Sequence, residues 1–147
     1  MPSLKNTIDR KRLIERFYKV KPESQPQWGS LTAPRMLCHL SDGLAMALGD
    51  ISIESLGRKK YQRFPLKHLI LYVIQFPKNV QTMPELLATE PSSFEADREH
   101  VVEQIERLVR KSDGVGPEHP LLGVLTNKEW KVLQYKHIEH HLMQFGC

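Results

Sequence analysis

Apolar residues recur at three- and four-residue steps in four stretches of the chain, the spacing of helices that each bury one face. In the first, Ile8, Leu13, Ile14, Phe17 and Tyr18 fall between Asn6 and Lys19. This helix stops ahead of Lys21-Pro22, because a residue before proline is disfavoured in the helical region. The second begins at Thr32, whose hydroxyl can cap free amides, with Pro34 tolerated in the first turn. Met36, Leu37, Leu40, Leu44, Ala47 and Leu48 form its buried stripe, and Gly49 is its stop. The third begins at Ser92, where Ser92-x-x-Glu95 fits a capping box. Phe94, Val101, Val102, Ile105, Leu108 and Val109 are its apolar face, and Arg110 and Lys111 suit its C-terminal dipole. The fourth begins at the capping box Thr126-x-x-Glu129 and runs to about Phe145.

Between the second and third helices, Pro65, Pro77, Pro84 and Pro91 cut residues 50–91 into a long crossover with room for one short helix between Pro65 and Pro77. No run shows the sustained alternation of a strand. The pattern predicts an all-α four-helix bundle with a long, helix-bearing crossover. At 147 residues the chain is one domain, 1–147, long enough to bury a sizeable core.

Composition narrows the function classes. Charged residues are 26% and hydrophobic residues 40%, which argues against a disordered chain. The formal charge of +4 is mild, and the one dense basic cluster is Arg58-Lys59-Lys60 with Tyr61 and Arg63. A solvated loop is the favoured reading of that cluster, so nucleic-acid binding is the least favoured function. Cys38 and Cys147 are too few for a disulfide framework or a Cys-only zinc site. The N-terminal residues carry no signal-peptide pattern, and no lipidation motif is present. The longest apolar run, Leu69 to Ile74, is far short of the ~20 residues that span a bilayer. These features predict a cytoplasmic protein without a membrane partner.

Seven His are the unusual count. His137 and His141 are four residues apart, one turn above the other on one helical face. Trp130, Leu133 and Phe145 share that side, so the pair points inward. Such a pair can reach one metal ion, although H-x-x-x-H alone is weak. Ile138 stands where a zincin protease would need Glu. Glu139 points away from the face, and His140 flanks it. A catalytic site needs a third ligand. His39 lies about 10 Å along the second helix from its cap, and the midpoint of the pair lies about 9 Å from the end of the fourth. Antiparallel packing of those helices would bring all three to one level. His39 falls at the edge of its apolar stripe, which suits either a rim site opening to solvent or an ordinary boundary His. Gln144 and His140 are candidates for the surrounding shell or pocket wall. His119, before Pro120, either orders its loop or lines the site mouth; His68 and His100 read as solvated.

The stretch His119-Pro120-Leu121-Leu122-Gly123, then Trp130, then Lys136-His137-Ile138-Glu139-His140-His141-Leu142-Met143-Gln144-Phe145-Gly146 resembles the DinB-like (YfiT-like) superfamily. Trp28-Gly29 and Met36-Leu37-Cys38-His39-Leu40 resemble its second-helix motif. The likeness is nearest to a branch of unknown function, and it covers nearly the whole chain in order. It implies up-down-down-up topology and a divalent ion, zinc or nickel, held by His39, His137 and His141. His140, Gln144, His119 and Trp130 would support the ion or its pocket. Relatives in the superfamily transfer or isomerise with low-molecular-weight thiols. The expected function is therefore a metal-dependent enzyme with an unidentified small-molecule substrate, thiol transfer being one form of it. The alternative is a metal-stabilised stress or interaction protein without catalysis. A homodimer is compatible with such bundles, but no exposed stripe decides it.

Overall fold

The structure is a computed structural model that describes residues 1–147. It contains five helices, α1 (Thr7–Phe17), α2 (Ala33–Leu48), α3 (Leu66–Tyr72), α4 (Phe94–Arg110) and α5 (Asn127–Gln144). Two strands, β1 (Val115–His119) and β2 (Gly123–Thr126), stand between α4 and α5, and 3-10 turns cover Lys59–Gln62 and Pro84–Leu87. The expectation of an all-α four-helix bundle is overturned by the two-stranded antiparallel sheet, while the short crossover helix expected between Pro65 and Pro77 is α3, which packs against α5 as a fifth helix. No helix is long and apolar enough to cross a membrane.

The hairpin escapes a periodicity reading for local reasons. β1 reads Val-Gly-Pro-Glu-His, with a glycine and a proline inside it, and an irregularity in the register separates the Val115–Thr126 pair from the Glu118–Val124 pair. β2 does alternate, with Gly123 and Leu125 inward and Val124 outward, but over only four residues. Side chains hold the ribbon in place. Trp130 Nε1 donates to the Pro117 carbonyl at 2.9 Å. His119 Nδ1 accepts from the Leu121 and Leu122 amides, each at 3.1 Å, and so orders the turn.

The helix ends follow from capping chemistry. Asn6 accepts from the Ile8 and Asp9 amides. Thr32 accepts from Arg35 at the start of α2, and Gly49 ends that helix at φ 78°, a left-handed conformation that costs glycine little. The capping box of α5 is complete, with Thr126 and Glu129 each accepting the other's amide. The box expected at Ser92 is not formed. Ser93 is the cap of α4, while Ser92 bonds the Asp97 carboxylate through its own amide and hydroxyl.

α5 is the central element, touching α1, α2, α3, α4 and both strands. Trp130, Leu133, Ile138 and Leu142 bury against Leu37, Leu40 and Leu44 of α2 in one apolar cluster. Even Lys131 is buried, its ammonium donating to the Lys111 carbonyl at the end of α4 and facing Asp113 at 3.3 Å. Glu139 leaves the core for α1, where it pairs with Arg16 at 2.6 Å. The crossover runs along α5: Lys67 lies beside Glu129, Lys136 donates to the Ile70 and Ile74 carbonyls, and Phe76 stands over His137 and His140.

Candidate metal centre

α2 and α5 pack so that His39, His137 and His141 converge. Their ring centroids are 4.7 to 4.9 Å apart, and one nitrogen from each lies within 4.8 Å of the others. His39 Nε2 and His137 Nε2 are 2.9 Å apart. Two imidazole nitrogens bound to one ion at about 2.0–2.1 Å each would stand roughly 3.3 Å apart in a tetrahedral shell, so a small adjustment of ring angles suffices.

The surroundings set each tautomer. His39 Nδ1 donates to the Leu86 carbonyl at 2.9 Å, and a carbonyl can only accept, so the lone pair sits on Nε2. Gln144 Nε2 donates to the Trp28 carbonyl, which turns the Gln144 oxygen toward His141 Nδ1 at 2.8 Å. The lone pair of His141 is therefore also on Nε2. With His39 fixed, His137 Nε2 carries the hydrogen between the two rings. Binding an ion requires that hydrogen to sit on Nδ1 instead. Gln134 Oε1, one turn earlier on α5, is a buried acceptor without a partner. It and His137 Nδ1 both face Gly43: a methyl built there would lie 3.2 Å from Nδ1 and 3.5 Å from the amide oxygen. The group thus has three imidazole donors, partners for two outer N–H groups, and a spare acceptor beside the third. That set fits a divalent ion.

All three rings are neutral at pH 7. Burial pushes the pKa of His141 down to about 3, and holds those of His137 and His39 below the ordinary imidazole value. Mutual repulsion among the rings adds to the effect at His137 and His141. Neutral imidazole is the form that binds metal. His39 is not at a solvent rim, contrary to its place at the edge of the α2 stripe, because the turn Pro84–Leu87 covers it. That turn is anchored by Asp42, one helical turn after His39, whose carboxylate accepts from the Thr89 hydroxyl and amide.

The remaining expected residues take different places. His140 packs edge-on to Trp28 and Phe76 at 5.7 and 6.0 Å and lies 5.2 Å from the His141 ring, beside the three-His group. Trp130 stacks against His119 at 5.5 Å. Both residues brace the hairpin, and neither joins the three-His group. His68 stacks on Tyr72, and His100 is exposed. Cys38 is buried, its thiol pKa raised by burial and by nearby carboxylates. Five contributors lie beyond sequence spacing: Gly43, Gln134, Asp42, the Leu86 carbonyl and Phe76. Only Gly43 left a signal, as a glycine inside a helix four residues after His39.

Fold and site together define a mostly helical domain with a small hairpin and a buried three-His group able to bind a metal ion. The chain belongs to the DUF1569 family, described as a protein of unknown function, which matches residues 62–146. The match includes His137, His141 and Gln144, while His39 precedes it. No curated protein and no solved structure matches the chain.

Proposed function

We propose that the protein is a metal-dependent enzyme that holds zinc or nickel on His39, His137 and His141 and acts on a small molecule, in the manner of the thiol-using DinB-like proteins its motifs resemble. The observation that carries this is the donor count. Only three side chains converge, and none of the nearby groups completes a fourth protein bond. Asp42 is engaged by Thr89, and the Cys38 thiol is not part of the group. A three-His ion with a free position is the arrangement of catalytic rather than structural sites. When bound, the ion supplies stabilisation of a thiolate or hydroxide near neutral pH. Leu86 and Gln144 keep the His39 and His141 lone pairs aimed at one point. Trp28 and Phe76 pack on His140 beside the group. Since neither cysteine belongs to the site, a reacting thiol comes from the substrate.

Cobalt(II) reports the free position directly. Adding 2-mercaptoethanol to the cobalt-loaded protein is expected to produce thiolate-to-metal charge-transfer absorption in the near ultraviolet and to shift the visible bands. An unchanged spectrum would mean a closed site and would favour the metal-stabilised, non-catalytic alternative.

A further inference from the structure

Gln134 lies on α5 one turn before His137 and is 2% exposed. Its amide has a fixed orientation. Nε2 donates to the Gly43 carbonyl of α2 at 3.2 Å, and a carbonyl can only accept, so the amide oxygen is turned the other way. That oxygen is buried and has no hydrogen-bond partner. A buried polar atom left unpaired is uncommon and destabilises the fold that holds it.

Its neighbour explains why the oxygen is unpaired. A Cβ at Gly43 would lie 3.2 Å from His137 Nδ1 and 3.5 Å from Gln134 Oε1, so both atoms border one spot that glycine leaves clear. The His39 hydrogen is held by the Leu86 carbonyl, and the 2.9 Å contact between the two Nε2 atoms therefore needs the His137 hydrogen on Nε2. This leaves a lone pair on His137 Nδ1. Two acceptors then border the same spot, with a hydrogen for neither. Placing the His137 hydrogen on Nδ1 instead supplies that hydrogen. It also turns the His137 Nε2 lone pair toward those of His39 and His141.

We infer that Gln134 is the positioning residue of His137: its amide oxygen accepts the Nδ1 hydrogen when the ring gives its Nε2 lone pair to a divalent ion. This deepens the metal-centre proposal and rests on it. The ring stays neutral throughout, because one hydrogen leaves Nε2 for water and one arrives from water at Nδ1. Gln134 differs in this from Gln144, whose oxygen is already paired with His141. Its amide oxygen is a burden on the metal-free fold and a contributor to metal affinity, so removing it should move the two properties in opposite directions. Gln104 provides the control. It is 3% exposed, donates to the Ser41 carbonyl of α2 at 3.1 Å and also has an unpaired amide oxygen. It stands on α4, which contributes no member of the three-His group.

The test uses the full chain with zinc. Gln134→Met keeps the length of the side chain and removes the amide, while the Gly43 carbonyl keeps its bond within α2. Competition against a chromophoric chelator is expected to show zinc weakened by about 10–100-fold. The metal-free variant is expected to unfold at the same or a higher urea concentration than the unsubstituted chain. Gln104→Met should leave zinc affinity within about twofold. Nitrogen-15 NMR of the unsubstituted chain should find the His137 hydrogen on Nε2 without metal and on Nδ1 with zinc. Zinc affinity within about twofold in Gln134→Met, or an equal loss in Gln104→Met, would overturn the inference. So would a lower urea midpoint, which would make Gln134 a structural prop, or an Nδ1 hydrogen in the metal-free chain. Each of these results leaves the three-His centre standing. An unsubstituted chain that takes up no zinc would overturn the metal centre and this inference with it.

Discussion

A His137→Ala chain is expected to keep its helices and lose its metal. His137 is the safest ligand to remove, because its outer nitrogen has no partner that truncation would strand, whereas His39→Ala would leave the buried Leu86 carbonyl without its donor. Loss of an outer partner of a ligating His costs about 10–100-fold in metal affinity, and loss of the ligand itself costs more. Gln144→Ala should therefore weaken zinc by about 10–100-fold, and His137→Ala by more than about 100-fold. Competition against a chromophoric chelator measures both, and circular dichroism checks that the fold persists. The order is the diagnostic feature. Zinc affinity in His137→Ala within about twofold of the unsubstituted chain would remove His137 from the site.

The second large effect is acid lability. His119 has its pKa pushed down to about 4 by burial, and His141 down to about 3. His119 Nδ1 already accepts two amides, so a second proton on that ring would break the bonds that order the hairpin turn. An unfolded His takes up its proton near pH 6.5. Above that value both states are neutral and pH has no effect through these groups. Below it the unfolded chain gains protons that the folded chain refuses, so stability falls as the pH falls, until about pH 4 for His119 and about 3 for His141. Each group contributes about 1.4 kcal/mol per pH unit, so the pair removes roughly 5 kcal/mol between pH 6.5 and 4.5. That is comparable to the whole stability of many domains. Urea denaturation of the metal-free protein at pH 7, 6 and 5 checks it. His119→Asn should reduce the slope by one histidine's share, at most about 1.4 kcal/mol per pH unit, and a flat profile in the unsubstituted chain would contradict the burial of neutral rings.

Much of this architecture is visible in the chain before any coordinates. Asn6, Thr32 and Thr126 announce helix starts, because side-chain oxygens that satisfy free amides leave a local signature. His137 and His141 announce a shared face because the helical period is local too. Placing His39 level with them needed only helix rise and an antiparallel arrangement. Other features depend on contacts between distant residues. The hairpin is held by Trp130 from α5 and by His119 at the end of β1, and its proline and glycine disguise it. His39 looked like a boundary residue because its cover comes from Leu86, 47 residues later. The cap of α4 moved from Ser92 to Ser93 because Asp97 competes for Ser92. Gln144 was a candidate from its face, but its fixed orientation depends on Trp28, 116 residues earlier.

X-ray absorption at the zinc edge of the loaded protein tests the three-His centre most directly. The structure predicts a shell of nitrogen and oxygen at about 2.0–2.1 Å with outer scattering from three imidazoles. Sulfur at about 2.3 Å, or an oxygen-only shell without imidazole scattering, would contradict it.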